Sequence, residues 1–313
     1  MLINKGLPVI GNGGDGIAGS GETYSFTLSF TSSAYDGGGW NLLANPYPCE
    51  LDWDNVSQTD IDGTAVYVYN PTTQSYGTYS SGTGIGVGGA SRYVSSGQGF
   101  FVKASNGTTS ALSVSEASKV DADGNTFLRI ANMRESESAP QINIEIKNNT
   151  YSDETAVAFT DNSTDGYDQA YDARKLGGGW VNLSSKLDET KQLAINAMGA
   201  NRGVQVVKLN IDAYAFGSYK LTFPQITDFE EGTQIMLKDK YLDETMMVNS
   251  AAEYSFNIEQ NKLETMHDRF ELQFLSPLKL GFDQVTAKAG MEFVVPVNAE
   301  NLSDILSTRM GLS

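Results

Sequence analysis

The chain has 313 residues, a formal net charge of −17, 32 glycines, 15 tyrosines and 14 phenylalanines, and 19% of its residues are charged. A single sandwich domain has about 100 to 150 residues, so this length predicts two or more cores. The acidic charge argues against binding to nucleic-acid phosphates, and no apolar run approaches the roughly 18 to 20 residues of a membrane span. Glycine-rich and aromatic-rich composition favours an all-β protein.

The first segment, residues 1–122, contains strands that alternate between apolar and polar side chains. ETYSFTLSF places Tyr24, Phe26, Leu28 and Phe30 on one side, and AVYVYN and GQGFFVKA read as further strands. The glycine-rich stretch GTGIGVGG precedes a strand pattern and not a helix, so it lacks the helix N-terminus that a phosphate site requires. We interpret it as a loop.

The second segment, residues 123–275, contains nine candidate strands with turn signals between them. This spacing is typical of a β-sandwich. Helical periodicity is scarce, and its best case, SKLDETKQLAI, equally fits a loop followed by a strand. The candidate strands are TFLRIANM, QINIEIKN, TAVAFTD, KQLAINAM, GVQVVKLNI, GSYKLTF, QIMLKDK, EYSFNIE and RFELQF.

The third segment, residues 276–313, follows the Ser276-Pro277 boundary and contains two more strands joined by Lys288-Ala289-Gly290. So short a segment cannot bury a sandwich core, which predicts an incomplete domain. The predicted fold class is therefore all-β, with tandem β-sandwich modules and an incomplete third segment.

Three stretches resemble known families. GGGWNLLANPYPCELDWDN, followed by VYVYNPTTQSYGTY and SSGQGFFVKA, resembles a β-rich module of large extracellular proteins of Bacteroidota. DGYDQAYDARKL, IMLKD and EYSFNIE are similar to the β-sandwich that follows that module. LKLGFDQVTAKAGMEFVVPVNAENLSD is similar to the opening strands of a cohesin-like domain.

The resemblance implies location more than activity. Such modules precede a sorting domain read by the type IX secretion system, which implies an extracellular protein attached at the outer membrane. That sorting domain is missing here, so we expect both ends to be cut from a longer protein. The implied partners are the secretion and anchoring machinery, neighbouring modules of the same protein, and a polysaccharide or host-surface ligand.

Calcium is the one cofactor that the acidic residues favour. Asp161, Asp165, Asp168 and Asp172 lie within DNSTDGYDQAYD, where a loop could converge several of the six to eight oxygens that Ca²⁺ takes. The alternative is that Asp168 and Asp172 cap turns and pair with Arg174 or Lys175. Asp121 and Asp123 in DADGN imitate the start of a calcium loop without its distal glutamate.

Aromatic side chains offer a second kind of site, because the C–H faces of sugars pack on aromatic rings. Trp40 and Trp180 each follow three glycines and open strand-like segments, which favours burial. Trp53 lies between two aspartates, so we expect it to be exposed. Trp53 and Tyr47 are the predicted carbohydrate-stacking residues.

Nothing in the chain requires an enzyme. His267 is the sole histidine, no G-x-S-x-G elbow accompanies it, and a half-exposed residue at a strand edge is the simpler reading. The sequence predicts a non-catalytic structural or adhesive region of a large secreted cell-surface protein. The alternatives are the carbohydrate-binding region of a polysaccharide-acting surface enzyme and a hydrolase with an unrecognised carboxylate pair.

Overall fold

The computed structural model describes residues 23–33, 38–107, 109–120, 139–200, 203–277, 279–282 and 297–300. In these ranges the regular structure consists of β-strands and three short 3₁₀ segments, Trp53–Asn55, Glu116–Ser118 and Gln260–Met266. The all-β prediction is therefore confirmed. No helix within these ranges is long and apolar enough to cross a membrane.

The first module, residues 23–120, consists of three antiparallel sheets around one core. Their strand orders are β1-β10-β4, β11-β3-β8 and β2-β9-β5-β6-β7. Its strands are β1 (Thr23–Thr27), β2 (Trp40–Ala44), β3 (Glu50–Asp52), β4 (Ser57–Thr59), β5 (Ala65–Asn70), β6 (Ser75–Ser80), β7 (Ile85–Val87), β8 (Tyr93–Val94), β9 (Gly99–Lys103), β10 (Ala111–Ser115) and β11 (Lys119–Val120).

Alternation along β5 directs side chains into two different cores. Val66 and Val68 belong to the first module's own core, together with Trp53, Phe100 and Leu112. Ala65 and Tyr67 lie on the opposite face and belong to a separate cluster. Successive side chains of a strand point to opposite faces of the sheet. Both faces of β5 are therefore covered from Ala65 to Val68.

The second module, residues 139–277, is one sheet of eleven strands. Its order is β20-β19-β22-β17-β15-β16-β13-β12-β18-β21, with β14 paired to β16. Its strands are β12 (Gln141–Lys147), β13 (Ser152–Phe159), β14 (Ala173–Arg174), β15 (Val181–Asp188), β16 (Lys191–Met198), β17 (Val204–Ala213), β18 (Gly217–Thr227), β19 (Gln234–Asp239), β20 (Glu244–Met247), β21 (Glu253–Ile258) and β22 (Phe270–Leu275).

This sheet curls around a single core. Side chains from strands near its two ends, such as Leu237 on β19 and Phe256 on β21, belong to the same buried cluster as Leu183 on the central strand β15. Described pairs are antiparallel except for β13 with β16, which is parallel. The curled sheet thus acts as both layers of a sandwich.

The third segment contributes one antiparallel hairpin in the described residues, β23 (Lys279–Phe282) with β24 (Val297–Glu300). Two strands were predicted here. The candidate strand TFLRIANM, and Asp121 and Asp123 of the second calcium hypothesis, lie outside the described residues.

Candidate functional site at the junction of the modules

A shared apolar core joins the two modules. The first module contributes Ala65, Tyr67, Ile85 and Val87, all no more than 7% exposed. On β13, Val157 and Phe159 point into the second module's own core, whereas Ala156 and Ala158 point out of it and into the shared core. Small alanine side chains allow the two sheets to approach closely. The remaining buried members of the shared core are Ala173, Leu176, Ala194 and Ile195.

Polar contacts surround the shared core. The Tyr167 hydroxyl donates to Oδ1 of Asp62 (2.6 Å), and Arg174 lies with Nε 3.5 Å from Oδ2 of Asp62. The Arg174 guanidinium also stacks over the Tyr167 ring at 4.4 Å. Burial, and then the nearby Asp62 carboxylate, raise the pKa of the Tyr167 hydroxyl well above its usual range, so it remains a donor at neutral pH.

The glycine-rich stretch contains the short strand β7 and contributes to this junction. The backbone N–H of Gly88 donates to Oε2 of Glu154 (2.7 Å), and Asn143 Nδ2 donates to Oε1 (2.8 Å). Burial raises the pKa of Glu154 despite both hydrogen bonds. The loop therefore binds a carboxylate of the second module.

A cleft of about 470 Å³ opens where the two modules meet. Its cations are Lys103, Arg174 and Lys191, and its one lining carboxylate among the described residues is Asp62. Lys103 donates to the carbonyl of Gly38 (2.8 Å), and Lys191 pairs with Asp188 (3.0 Å). Each of these two contacts lies within one module, whereas the Arg174–Asp62 pair crosses between the modules. The other lining residues are Phe30, Gly38, Ala104, Ser105, Asn106, Gln169 and Thr190.

The four predicted calcium ligands are not gathered around one point. Asp161 and Asp165 are exposed, whereas Asp172 is fully buried. The carboxylate of Asp172 accepts from the backbone N–H groups of Asp168 (2.7 Å) and Ala197 (2.8 Å), and Asp168 accepts from Thr164 N–H (2.5 Å). No group of three or more acidic, histidine or cysteine side chains in the described ranges could hold a metal ion. Calcium binding stays a prediction from sequence. Asp168 and Asp172 cap the loop as in the alternative, but the cations it named pair elsewhere, Arg174 with Asp62 and Lys175 with Asp153.

Burial of Asp172 predicts a pH-dependent contribution to stability. Its pKa is raised from 3.8 to about 6, mainly by burial and in smaller part by the nearby Asp168 carboxylate, while the two backbone donors and Arg174 oppose the rise. The folded chain therefore binds an extra proton between about pH 4 and 6, so this contribution is greatest at low pH and is lost as pH rises through 6. Two pKa units correspond to roughly 3 kcal/mol.

We expect the stability of Asp172→Asn relative to the wild type to rise by up to about 3 kcal/mol between pH 4 and 7, because the amide cannot ionise. Urea unfolding at a series of pH values measures this difference. The exposed Asp161→Asn variant serves as the control, with a difference from wild type that stays constant across the range. If the difference between Asp172→Asn and the wild type is also constant across the pH range, the raised pKa of Asp172 is contradicted.

The predicted sugar-stacking residues are wrong, because both rings lie in the core. Trp53 is fully buried, its Nε1 donates to the carbonyl of Thr64 (2.8 Å), and its ring packs edge-on against Phe100. Tyr47 is 3% exposed. The aspartates beside Trp53 bind Arg92, and the 3₁₀ turn over Trp53–Asn55 places the indole inside.

The other two tryptophans also differ from each other. Trp40 is half-buried against the shared core, as expected, whereas Trp180 is 48% exposed. Its ring stacks on Tyr151 with centroids 5.7 Å apart. The preceding Gly178 and Gly179 lie against Tyr76 and Gln74 of the first module, so the chain emerges from the junction at Trp180.

His267 lies at the end of the 3₁₀ segment Gln260–Met266, with its side chain 44% exposed and Nε2 3.0 Å from Oδ1 of Asp212. This agrees with the half-exposed position expected for it.

Comparison with known families gives a match over most of the chain. The matching family model is described as a domain of unknown function, DUF8693, and it covers residues 9–274. Comparison with curated proteins and with solved structures found no match. The matched range includes the described residues of the first module and nearly all of the second. The chain belongs to the DUF8693 family.

Proposed function

We propose that the chain is a non-catalytic structural or adhesive region of a large secreted cell-surface protein, in which the two modules act as one stiff unit. The shared core between the modules is the observation that carries this proposal. Domains joined by a flexible linker move relative to one another by default, unless their interface is large and hydrophobic. A stiff pair of modules would hold neighbouring parts of the protein at a fixed distance and angle.

The polar contacts around the core support stiffness because they fix the modules in one register. Direct hydrogen bonds cross the junction at several places, including Gly88 to Glu154, Tyr167 to Asp62, and Gln169 to the carbonyl of Ile61. Each has a defined geometry that sliding of the modules would break. A half-satisfied buried network is costly, so this set favours a single arrangement.

The resemblance to Bacteroidota surface proteins supports the second part of the proposal, export by the type IX secretion system. Antibodies raised against the chain test it on cells of the source organism. We expect labelling of intact cells, with loss of the label when a component of the type IX system is deleted. Labelling that requires cell lysis would contradict a surface location.

Substitution of Gly82 by alanine tests stiffness. A Cβ at Gly82 would lie 1.7 Å from the carbonyl oxygen of Ala170 in the other module, so the modules must separate there. Overpacking typically costs about 1–3 kcal/mol, and we expect a loss of stability in that range. In small-angle scattering we also expect Gly82→Ala to broaden the distance distribution.

The matched control is Gly166→Ala, because its added Cβ would meet Thr164 Oγ1 at an ordinary 3.5 Å. We expect that variant to scatter like the wild type. If Gly82→Ala also scatters like the wild type and unfolds at the same denaturant concentration, the contact at Ala170 does not hold the modules together.

A further inference from the structure

An exposed aromatic cluster lies at one end of the second module. Three of its four residues are at least 41% exposed: Trp180 (48%), Tyr214 (67%) and Phe216 (41%). The fourth, Tyr151, is half-buried and stacks on Trp180 with 30° between the ring planes. We name these four residues the aromatic platform.

Strand register explains why the platform faces solvent. Val181 on β15 pairs with Ala213 on β17, and both side chains lie in the core. Trp180 and Tyr214 are the next positions along this antiparallel pair, and the N–H of Tyr214 donates to the carbonyl of Trp180 (2.8 Å). Because side chains alternate along a strand, Trp180 and Tyr214 point away from that core, and the hydrogen bond holds their backbones next to each other.

Hydrogen bonds hold the platform in place. The N–H of Ala215 also donates to the carbonyl of Trp180 (3.2 Å), and the Tyr219 hydroxyl donates to the carbonyl of Ala215 (3.0 Å). In the β12–β13 turn, Asn148 Oδ1 accepts from the N–H groups of Thr150 and Tyr151. The rings are therefore carried by three tethered segments, and a ligand would meet an ordered surface.

The three segments that carry the platform contain no charged residue, and the charged side chains Lys147 and Asp212 flank two of them. These segments, residues 148–151, 178–182 and 213–217, have the sequences NNTY, GGWVN and AYAFG, in a chain of net charge −17. Asn149 and Thr150 are exposed beside Tyr151 and can bond hydroxyl groups. Aromatic faces next to neutral hydrogen-bonding groups complement a neutral sugar, whose apolar C–H face lies on a ring while its hydroxyls bond outward.

We propose that the aromatic platform binds a neutral polysaccharide, with Trp180 and Tyr214 as stacking residues. This is a binding site in addition to the structural role proposed above. A uronate or sulfated polymer is disfavoured, because the three platform segments contain no cation, the flanking Lys147 already pairs with Glu145, and the chain as a whole repels anions.

Affinity electrophoresis of the full chain tests the proposal, in gels that contain hydroxyethyl cellulose, laminarin, xyloglucan or mannan, with alginate as the anionic comparison. We expect at least one neutral polymer to retard the wild type. Trp180→Ala and Tyr214→Ala should each weaken binding by about thirtyfold, as for buried aromatic anchors in other interfaces. Tyr214 is the most exposed of the platform residues, so its removal should leave folding intact, which circular dichroism verifies.

The control is Tyr241→Ala, an exposed tyrosine (55%) in the β19–β20 turn of the same module, which should bind like the wild type. The proposal is overturned if no neutral polymer retards the chain, if alginate alone does, or if both platform variants bind normally. Sedimentation equilibrium tests whether a second copy of the chain binds to the platform instead of a polysaccharide. Dimerisation that Tyr214→Ala abolishes would show that it does and would overturn the proposal.

Discussion

Replacement of Tyr67 by alanine is expected to lower the free energy of unfolding by about 3–5 kcal/mol, the range for removal of a large buried aromatic side chain. Tyr67 is 1% exposed, belongs to the shared core, and packs edge-on against Trp40 at 4.9 Å. It points away from the first module's own core, so the cavity would open between the modules. Urea unfolding measures the loss.

Tyr69→Ala is the matched control for this variant. Tyr69 lies two residues further along β5 on the same face, but it is 47% exposed because it extends beyond the shared core. We expect a loss of no more than about 1 kcal/mol. Equal effects of the two substitutions would contradict the assignment of Tyr67 to a core between modules.

The second large effect is expected at the buried ion pair of Lys175 and Asp153. Their Nζ and Oδ2 atoms are 2.5 Å apart, and their side chains are 4% and 1% exposed. Burial raises the pKa of Asp153 even with Lys175 beside it. Lys175→Met would leave this carboxylate buried without its cation, which costs about 3–5 kcal/mol in comparable sites.

A double-mutant cycle isolates the electrostatic part of that loss. Asp153→Asn can still accept the N–H of Leu183, which now bonds Oδ2 at 2.6 Å, but it removes the charge. We therefore expect Lys175→Met to cost less in the Asp153→Asn background than in the wild type. Lys191→Met, at the exposed pair with Asp188, should cost no more than about 1 kcal/mol. Additive losses in the cycle would show that Lys175 stabilises the fold by packing alone.

Most strands of both modules could be predicted from sequence because their alternation is regular. AVYVYN corresponds to β5, and QINIEIKN and EYSFNIE contain β12 and β21. The sequence indicates β15 only as a strand-like segment after Trp180, because the second half of the strand, SSKLD, is polar and merges with the turn in SKLDETKQLAI. Strand β7 could not be recognised from sequence. Its neighbouring glycines permit many conformations, and three residues are too few to show an alternating pattern.

The junction between the modules was not predictable, because one strand's alternation cannot show what covers its second face. Tyr67 and Ala156 look like ordinary members of half-buried strands, and only the packing of the modules brings them together. The clustered aspartates could not be interpreted from sequence for the same reason, because one of their partners is distant along the chain. Four carboxylates within twelve residues suggested a cation, but their partners include the backbone N–H of Ala197, which is distant in sequence.

The tryptophans show how local context misleads. Flanking charges predicted an exposed Trp53, yet Asp52 and Asp54 both pair with Arg92 and the ring turns inward. Trp40 and Trp180 share the signal of three preceding glycines but end with different exposures, because only Trp40 lies against the shared core. The signal that could have found Trp180 is the neutral, aromatic loop AYAFG, which carries two further exposed rings.

The central claim is that the two modules form one stiff unit through their shared core. Native-state hydrogen exchange of the whole chain in increasing denaturant tests it, with amides of β5 reporting the first module and amides of β13 the second. We predict a single opening free energy for both strands, lowered equally in both by Tyr67→Ala. Two different opening free energies, with Tyr67→Ala lowering that of β5 alone, would contradict the claim.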